Sequence, residues 1–260
     1  MKSKICITTG FNKPYKSIGD LCLKSIRKYA DKFEYNVELN NKLWEYEEPH
    51  LAKIVWILEL FEKGYDYVFW IDADALIVNQ NEDIGNEIVA GKDLYLVKHI
   101  YHNIDIVNTG VMLIKNSNWS KALLKEVLKR ARNGEMRKHA YYENGILNKI
   151  LGYYWLPSNY FLKFLFIHFG LKFQRVNPYN EKYFGLIKFL NERWNTLLDE
   201  EMNEIEDPII KHYANIDSKI ALKEMKEDLK TDEDRFAEMF AGEIDKECIV
   251  EEKLRSVTTD

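Results

Sequence analysis

The sequence predicts an α/β fold with a mixed central sheet flanked by helices, and three observations support this prediction. Short apolar runs alternate with segments whose apolar residues recur at helical spacing through the first half of the chain. The chain has 260 residues, of which 46% are hydrophobic, so it can bury the core of one elaborated domain. No internal repeat or low-complexity linker divides it. We therefore expect one domain over residues 1–230, followed by an acidic helical tail over residues 231–260.

The positions of the elements follow from apolar periodicity, turn residues and helix-end signals. Strands are predicted at residues 4–8, 35–39, 67–71, 94–97 and 111–114. Helices are predicted at residues 17–29, 49–62, 119–132 and 141–150. Beyond residue 156 we expect a mostly helical stretch at 181–206, a short strand at 208–213 and a helix at 218–229.

Composition excludes several classes of function. The formal net charge of −5 gives the protein no basic surface for nucleic acid, so nucleic-acid binding is not its main role. The three cysteines form no C-x-x-C pair or Cys/His cluster, which predicts reduced thiols in a cytosolic compartment. The apolar run at residues 5–7 is too short for a signal peptide, and no run approaches membrane length. We expect a cytoplasmic protein that is at most peripheral on a membrane.

Two carboxylates, Asp72 and Asp74, directly follow the most strand-like run of the chain, residues 67–71. In extended backbone, side chains at i and i+2 leave the same face with Cα atoms about 6–7 Å apart. Such a pair can share a hard divalent cation, and open α/β sheets bind ligands at the carboxyl ends of their strands. The alternative is a helix cap or turn former, because Asp-x-Asp is a short motif. The aromatic-rich strand before the motif favours the metal site.

Residues 65–79, YDYVFWIDADALIVN, resemble the DxD segment of GT-A-fold glycosyltransferases. The resemblance is closest to the family of fungal galactosyl/mannosyltransferases and plant xyloglucan xylosyltransferases. Residues 108–117, NTGVMLIKNS, are similar to that family's Asn-x-Gly segment, and Lys53 matches a lysine ahead of its DxD strand. The resemblance extends in order over residues 4–229. It implies a single GT-A-like nucleotide-diphospho-sugar transferase domain that moves a sugar from a nucleotide-sugar donor, UDP-linked, to a hydroxyl of a glycan or glycolipid acceptor, with retention.

The resemblance also implies a metal ion, Mn²⁺ or Mg²⁺, on the diphosphate of the donor. Asp74 and His212 are expected to ligate this metal, and Asp72 to ligate it or to contact the ribose. A cation there stabilises the negative charge that builds on the leaving phosphate. Asn215 stands where the family has Gly after the histidine, and Asn also tolerates positive φ. The alternative for His212 is a partly buried structural histidine.

The other expected site residues come from the same resemblance. Donor contacts are expected from Thr8, Thr9, Gly10, Lys53, Asp72, Ala73, Asn108, Gly110 and Lys219. Glu143 and Asn144 are expected beside the reacting sugar as catalytic residues, although the family has the longer Gln in place of Asn144. Lys219 lies two residues beyond the expected lysine position, which Asp217 occupies. The alternatives are an ordinary turn at residues 8–10 and a helix-dipole charge at Glu143.

Residues 160–173 are crowded with aromatic and aliphatic side chains. One interpretation is core packing or a homodimer interface. The other is peripheral membrane contact, with Lys163, Lys172 and Arg175 beside the apolar side chains, as would suit a lipid-linked acceptor. The sequence leaves both interpretations open.

Two other functions are compatible with the Asp-x-Asp motif. A haloacid-dehalogenase-type phosphatase also places it after an apolar strand, but on the first strand and with Thr or Val where this chain has Ala75. No late Asp-Asp pair is present either. The second alternative is a catalytically inert protein that binds a glycan or a partner on the same fold. The presence of Asp72, Asp74 and His212 argues against it.

Overall fold

The computed structural model describes residues 3–41, 49–101, 104–138, 141–152, 159–169, 185–198 and 205–230, and these form a mixed α/β fold. The strands are β1 (Ile5–Gly10), β2 (Asn36–Asn40), β3 (Tyr67–Ile71), β4 (Ala75–Ile77), β5 (Leu94–Tyr101), β6 (Ile104–Lys115), β7 (Ile187–Leu190), β8 (Thr196–Leu197) and β9 (Ile210–His212). The α-helices are α1 (Lys16–Phe33), α2 (Pro49–Glu62), α3 (Asn118–Arg132), α4 (Tyr142–Leu151), α5 (Tyr160–Phe169) and α6 (Ser218–Asp228). The predicted tail, residues 231–260, lies outside the described residues.

The central sheet has the strand order β2-β1-β3-β6-β5-β7. Strand β1 pairs in parallel with β2 and β3, and β5 pairs in parallel with β7. Strand β6 is antiparallel to both of its neighbours, β3 and β5. The carboxyl ends of β1 and β3 therefore lie at the same edge of the sheet, where the end of β3 meets the middle of β6 near Val111. Ligands of open α/β sheets bind at such an edge.

Strand β3 lies at the centre of this sheet, and all five of its residues are buried. Val68 and Trp70 pack among side chains of α2, α3 and α4, whereas Phe69 and Ile71 pack among side chains of α1 and α6. Successive side chains of a strand point to opposite faces, so an unbroken apolar run is needed when helices cover both. This explains why residues 67–71 lack the apolar–polar alternation of a half-exposed strand.

A second, three-stranded sheet with the order β4-β9-β8 is attached to the end of β3. Strand β4 is antiparallel to β9 and places Ala75 opposite His212. Strand β8 runs parallel to β9 and places Leu197 beside His212. This small sheet joins the last short strand of the described chain to the Asp-x-Asp segment.

Most predicted elements are confirmed, but the prediction of a mostly helical stretch at 181–206 is wrong within the residues described there. That stretch contains β7, a 3₁₀ helix at Glu192–Asn195 and β8. Ile187 pairs with Leu94 of β5, and the buried Trp194 packs edge-on against Phe69 with ring centroids 6.2 Å apart. Pairing with β5 and β9 overrides the local helical tendency.

Helix α5 contains the described part of the aromatic segment, residues 160–169, and it exposes several large apolar side chains. Phe161 is 65% exposed, Phe169 is 66% exposed, and Leu162 and Phe164 are also exposed. Core packing is therefore wrong for these four side chains, because a core residue is almost fully shielded from water. The homodimer interface and the membrane contact stay predictions. Among the described residues, no helix has the length and apolarity needed to cross a membrane.

We expect a Phe161→Ser/Phe164→Ser variant to keep the thermal stability of the wild type. Both rings are already exposed, so each substitution should change the free energy of unfolding by less than about 0.5 kcal/mol. The matched control is Phe61→Ser on α2, where the ring is 2% exposed and its loss should cost about 3–5 kcal/mol. Thermal melts compare the three proteins. A sharp loss of stability in the double variant would contradict the exposed position of α5.

The same double variant tests the membrane prediction by flotation with anionic liposomes. If α5 contacts lipid, the wild type floats with the vesicles and the double variant does so much less. No flotation of the wild type would contradict membrane contact and leave the homodimer interface to be tested by light scattering.

Candidate functional site

Asp72, Asp74 and His212 meet at the carboxyl edge of β3, as the sequence predicts for a metal site. One ligand atom from each residue lies within 4.8 Å of the other two. The backbone fixes the first position because the amide of Asp72 donates to the carbonyl of Gly110 at 2.7 Å. The backbone also fixes Asp74 and His212 relative to each other, because the amide of Tyr213, the residue after His212, donates to the carbonyl of Asp74 at 2.8 Å. Two carboxylates and an imidazole form a donor set suited to Mn²⁺-type cations.

His212 and Asp74 form a close electrostatic pair in this group. The Nε2 atom of His212 lies 3.4 Å from Oδ1 of Asp74, and the histidine is buried. Burial alone lowers the pKa of His212, but the carboxylates of Asp74 and Asp72 together raise that pKa above its ordinary value. Burial alone raises the pKa of Asp74, but His212, a backbone hydrogen bond and Lys53 together lower that pKa below its ordinary value. The pair therefore favours a positive charge between Nε2 and Oδ1, from a proton or from a metal ion that displaces it.

Asp72 is held by the strand that precedes it. The indole Nε1 of Trp70 donates to Oδ1 of Asp72 at 2.5 Å, and Nζ of Lys53 lies 3.7 Å from the same oxygen. Trp70 itself is buried in the sheet, so one carboxylate oxygen has a fixed position. The second oxygen remains for other partners.

Lys53 and Glu143 form a buried ion pair beside the metal-site residues. Nζ of Lys53 lies 2.6 Å from Oε1 of Glu143 and donates to the hydroxyl of Thr109 at 3.0 Å. Burial alone lowers the pKa of Lys53, but Asp72 and Glu143 raise it, so the amine is a charged ammonium. A buried charge without such partners would be strongly destabilising. Lys53 thus connects the Asp-x-Asp segment to the first turn of α4.

These side chains line a cavity of about 280 Å³ at the edge of the sheet. Eight residues predicted for the site are in its wall, namely Lys53, Asp72, Asp74, Asn108, Gly110, Glu143, Asn144 and His212. The cavity is wide enough to expose polar groups of both the metal-site residues and the Lys53–Glu143 pair. The structure therefore brings together residues from the turn after β3 and from β6, β9, α2 and α4.

Five predicted donor contacts lie outside this wall. The hydroxyl of Thr8 donates to the carbonyl of Glu38 at 2.7 Å and accepts from Nε1 of Trp56 at 2.9 Å, and Thr9 is fully buried. The Thr8 hydroxyl is therefore used inside the fold, contrary to the expectation that it faces a ligand. Gly10 is half-buried at the end of β1, and Ala73 is half-buried between the two aspartates. Lys219 is exposed in the first turn of α6.

The Asn-x-Gly segment has a steric role that the sequence did not reveal. A Cβ atom added to Gly110 would lie 2.1 Å from Cε1 of His212 and 2.9 Å from Oδ1 of Asn108. Only glycine leaves room for the imidazole at this point. Asn215, which stands where the family has Gly, adopts a positive φ of 62° after β9.

Four residues that sequence reasoning missed shape the site. Asn195 contacts both His212 and Asn108. The amide of Asn148 anchors α4 to β6 by accepting from the backbone amide of Val107 and donating to its carbonyl, both at 2.9 Å. At the cavity wall, the rings of His50 and Tyr142 stack with centroids 3.8 Å apart. Of these four residues, only Asn148 could have been noticed in the sequence, as an asparagine within the apolar face of α4.

Tyr142 has an unusual backbone for its position. Its φ is 46°, in the left-handed region that non-glycine residues rarely adopt, and it immediately precedes Glu143. Such strain persists only where surrounding contacts fix it, and it concentrates at functional sites. The stacking against His50 is one such contact.

Comparison with protein-family models matches residues 20–203 to a family described as nucleotide-diphospho-sugar transferase. The matched range covers more than half of the chain. A comparison with curated protein sequences finds no match.

Several solved structures are similar in fold. A glycosyltransferase involved in the glycosylation of the major capsid of PBCV-1 has a TM-score of 0.58 at 14% identity, over 85% of this chain and 98% of that chain. The glycosyltransferase GlyE of Streptococcus pneumoniae TIGR4 has a TM-score of 0.55 at 13% identity, over 93% of this chain and 64% of that chain. The galactosyltransferase LgtC, solved with donor and acceptor sugar analogs, has a TM-score of 0.52 at 12% identity, over 87% and 96%. Together with the family match, they confirm the predicted GT-A-like fold, whereas the nearest subfamily stays a prediction.

We expect Gly110→Ala to weaken Mn²⁺ binding because its Cβ atom would displace the imidazole of His212. Overpacking of this kind also costs about 1–3 kcal/mol of stability. The control is Gly91→Ala, where φ is +77° and no atom lies near the added methyl group, so only backbone strain is introduced. Titration with Mn²⁺ and thermal melts compare both variants with the wild type. Unchanged Mn²⁺ affinity in Gly110→Ala would contradict the contact with His212.

Proposed function

The chain belongs to the nucleotide-diphospho-sugar transferase family and is a glycosyltransferase, and we propose that it transfers the sugar of a UDP-sugar to a hydroxyl group of a glycan or glycolipid, in a metal-dependent reaction with retention of configuration. The observation that supports this most directly is the convergence of Asp72, Asp74 and His212 within 4.8 Å at the carboxyl edge of β3. The family assignment decides against the phosphatase and favours an enzyme over an inert binding protein.

The residues of the cavity fit a divalent cation in charge and in chemistry. Asp72, Asp74 and Glu143 provide three carboxylates, and Lys53 provides one buried ammonium, so the group has excess negative charge when His212 is neutral. We propose that Asp74 and His212, with Asp72, hold Mn²⁺ or Mg²⁺. When bound, the metal would neutralise the charge that develops on the departing diphosphate.

Lys53 and Glu143 are proposed to act on the sugar side of the cavity. The ammonium of Lys53 lies between Glu143 at 2.6 Å and Asp72 at 3.7 Å, so it holds both carboxylates in fixed positions. Asn144 follows Glu143 in the first turn of α4 and also lines the cavity. Preorganised charges of this kind stabilise a transition state without reorganisation during the reaction. We propose Glu143 and Asn144 as the groups that face the reacting sugar.

Retention of the anomeric configuration is supported by the ion pairs and hydrogen bonds of the carboxylates in the cavity wall. An inverting transferase needs a base that removes the proton of the acceptor hydroxyl. Here Glu143 is paired with Lys53, Asp74 with His212, and Asp72 accepts from Trp70. Each described carboxylate of the wall therefore has at least one oxygen engaged, which disfavours it as a free base. The anomeric configuration of the product, read by NMR, tests this part of the proposal.

The part of the cavity wall formed by His50 and Tyr142 suits a glycan acceptor. His50 and Tyr142 form a stacked aromatic pair in this wall, and 47% of Tyr142 is exposed. Ligand sites combine such apolar surfaces with a few placed polar groups. A lipid-linked acceptor would also explain exposed apolar side chains on α5, in a cytoplasmic protein that is peripheral on the membrane.

We expect donor binding to require a divalent metal. Isothermal titration with a panel of nucleotide sugars, with Mn²⁺ or with EDTA, should show binding of one UDP-sugar in Mn²⁺ and its loss in chelator. Slow release of nucleoside diphosphate from the bound donor would report turnover in the absence of an acceptor. Equal affinity and turnover in EDTA would contradict a metal-dependent reaction.

Asp74→Asn is expected to weaken Mn²⁺ binding by more than about 100-fold. Mutation of a residue that only hydrogen-bonds a metal ligand weakens binding by about 10–100-fold, and loss of a ligand itself should cost more. The change removes a charge at a strand end and keeps the side-chain volume, so the fold should stay intact. Asp31→Asn, at an exposed position on α1, is the control and should bind Mn²⁺ like the wild type. Circular dichroism checks the fold. Wild-type turnover by Asp74→Asn in Mn²⁺ would show that the assignment is wrong.

A further inference from the structure

We propose that Asn195 is a positioning residue of the metal site, which fixes the proton of neutral His212 on Nδ1 and so leaves Nε2 free for a cation. This inference rests on the proposed function, because it takes His212 to be a metal ligand. Asn195 lies at the end of the 3₁₀ helix Glu192–Asn195 and is fully buried.

The backbone fixes the orientation of the Asn108 side chain. The backbone amide of Gly110 lies 2.7 Å from Oδ1 of Asn108. A backbone N–H only donates, so the atom that faces it must be the amide oxygen of Asn108 and not the nitrogen. The backbone thus determines which way this amide points, a choice that is otherwise made from the hydrogen-bond network.

The amide oxygen of Asn108 in turn determines the orientation of Asn195. Its Nδ2 atom lies 3.1 Å from Oδ1 of Asn108. Because that oxygen only accepts, the group of Asn195 that faces it must be the NH₂ group. The other end of the Asn195 amide, the oxygen, then faces His212.

The proton of His212 follows from this orientation. Oδ1 of Asn195 lies 2.9 Å from Nδ1 of His212. An amide oxygen cannot donate, so Nδ1 must carry the hydrogen, and a neutral imidazole carries only one. The lone pair is therefore on Nε2, the nitrogen that lies 3.4 Å from Asp74. Metal-binding histidines commonly donate their second N–H to such an outer partner.

The surrounding backbone holds Asn195 and His212 in a fixed relative position. Trp194 anchors the 3₁₀ helix by packing against Phe69 in the core. Strand β8 then pairs with β9, and the amide of Leu198 donates to the carbonyl of His212 at 3.1 Å. Asn195 and His212 are both buried, so water cannot readily replace a lost partner. The amide and the imidazole therefore have one mutual arrangement.

The tautomer is tested first, on the metal-free wild type. Long-range ¹H–¹⁵N NMR at alkaline pH, where the rings are neutral, shows which nitrogen of each histidine carries the proton. The His212→Ala spectrum assigns the signal. We expect the Nδ1–H tautomer in the wild type and its partial or complete loss in Asn195→Ala. An Nε2–H tautomer in the wild type would overturn the inference whether or not the protein binds metal.

Metal affinity is tested second, by electron paramagnetic resonance titration with Mn²⁺ alone. Asn195→Ala should weaken Mn²⁺ binding by about 10–100-fold, the usual effect of an outer partner. Asn195→Asp keeps an acceptor for Nδ1–H and should bind Mn²⁺ more tightly than Asn195→Ala. The control Asn191→Ala removes a hydrogen bond to the amide of Arg193 at the start of the same 3₁₀ helix, without contact to His212.

The outcomes separate the inference from the proposed function. If the wild type binds no Mn²⁺, the metal-dependent function itself is overturned. This result is known before any variant is compared. A wild type that binds Mn²⁺ while Asn195→Ala binds it equally well overturns only the role of Asn195. Equal weakening in Asn195→Ala and Asn191→Ala would also overturn it, because a merely structural role of the 3₁₀ helix would then explain both.

Discussion

The pairing of β4 with β9 is the interaction on which the candidate site depends. Ala75 lies opposite His212 in this ladder, and the amide of Tyr213 donates to the carbonyl of Asp74. Without these bonds, the histidine would have no fixed relation to the Asp-x-Asp segment, because a long stretch of chain separates them. A few backbone hydrogen bonds therefore create the three-residue group, while the side chains supply only its chemistry.

The buried ammonium of Lys53 couples this group to Glu143 in the first turn of α4. It is shielded from water, and it stays charged because Asp72 and Glu143 lie beside it. Removal of either carboxylate would leave a buried charge with fewer partners, which is strongly unfavourable. The Asp-x-Asp segment and the first turn of α4 thus form one electrostatic unit.

The Asn-x-Gly segment also holds this unit together, whereas its contact with the donor stays a prediction. Asn108 directs its amide oxygen toward Gly110 and Asn195, and the missing side chain of Gly110 leaves space for the imidazole. Both residues also line the cavity. This short segment therefore both leaves room for the imidazole of His212 and forms part of the cavity wall.

The sequence by itself determined the α/β fold, strand β3 and the two carboxylates after it, because helical periodicity, a short apolar run and i, i+2 spacing are local properties. The resemblance added Lys53, Glu143 and His212 as expected site residues. Only the tertiary structure decided that Lys53 pairs with Glu143, that Asn195 contacts His212 and that Thr8 is used inside the fold. It also showed that α5 exposes its apolar side chains. These contacts depend on which distant segments of the chain pack together, and a local sequence pattern does not determine that packing.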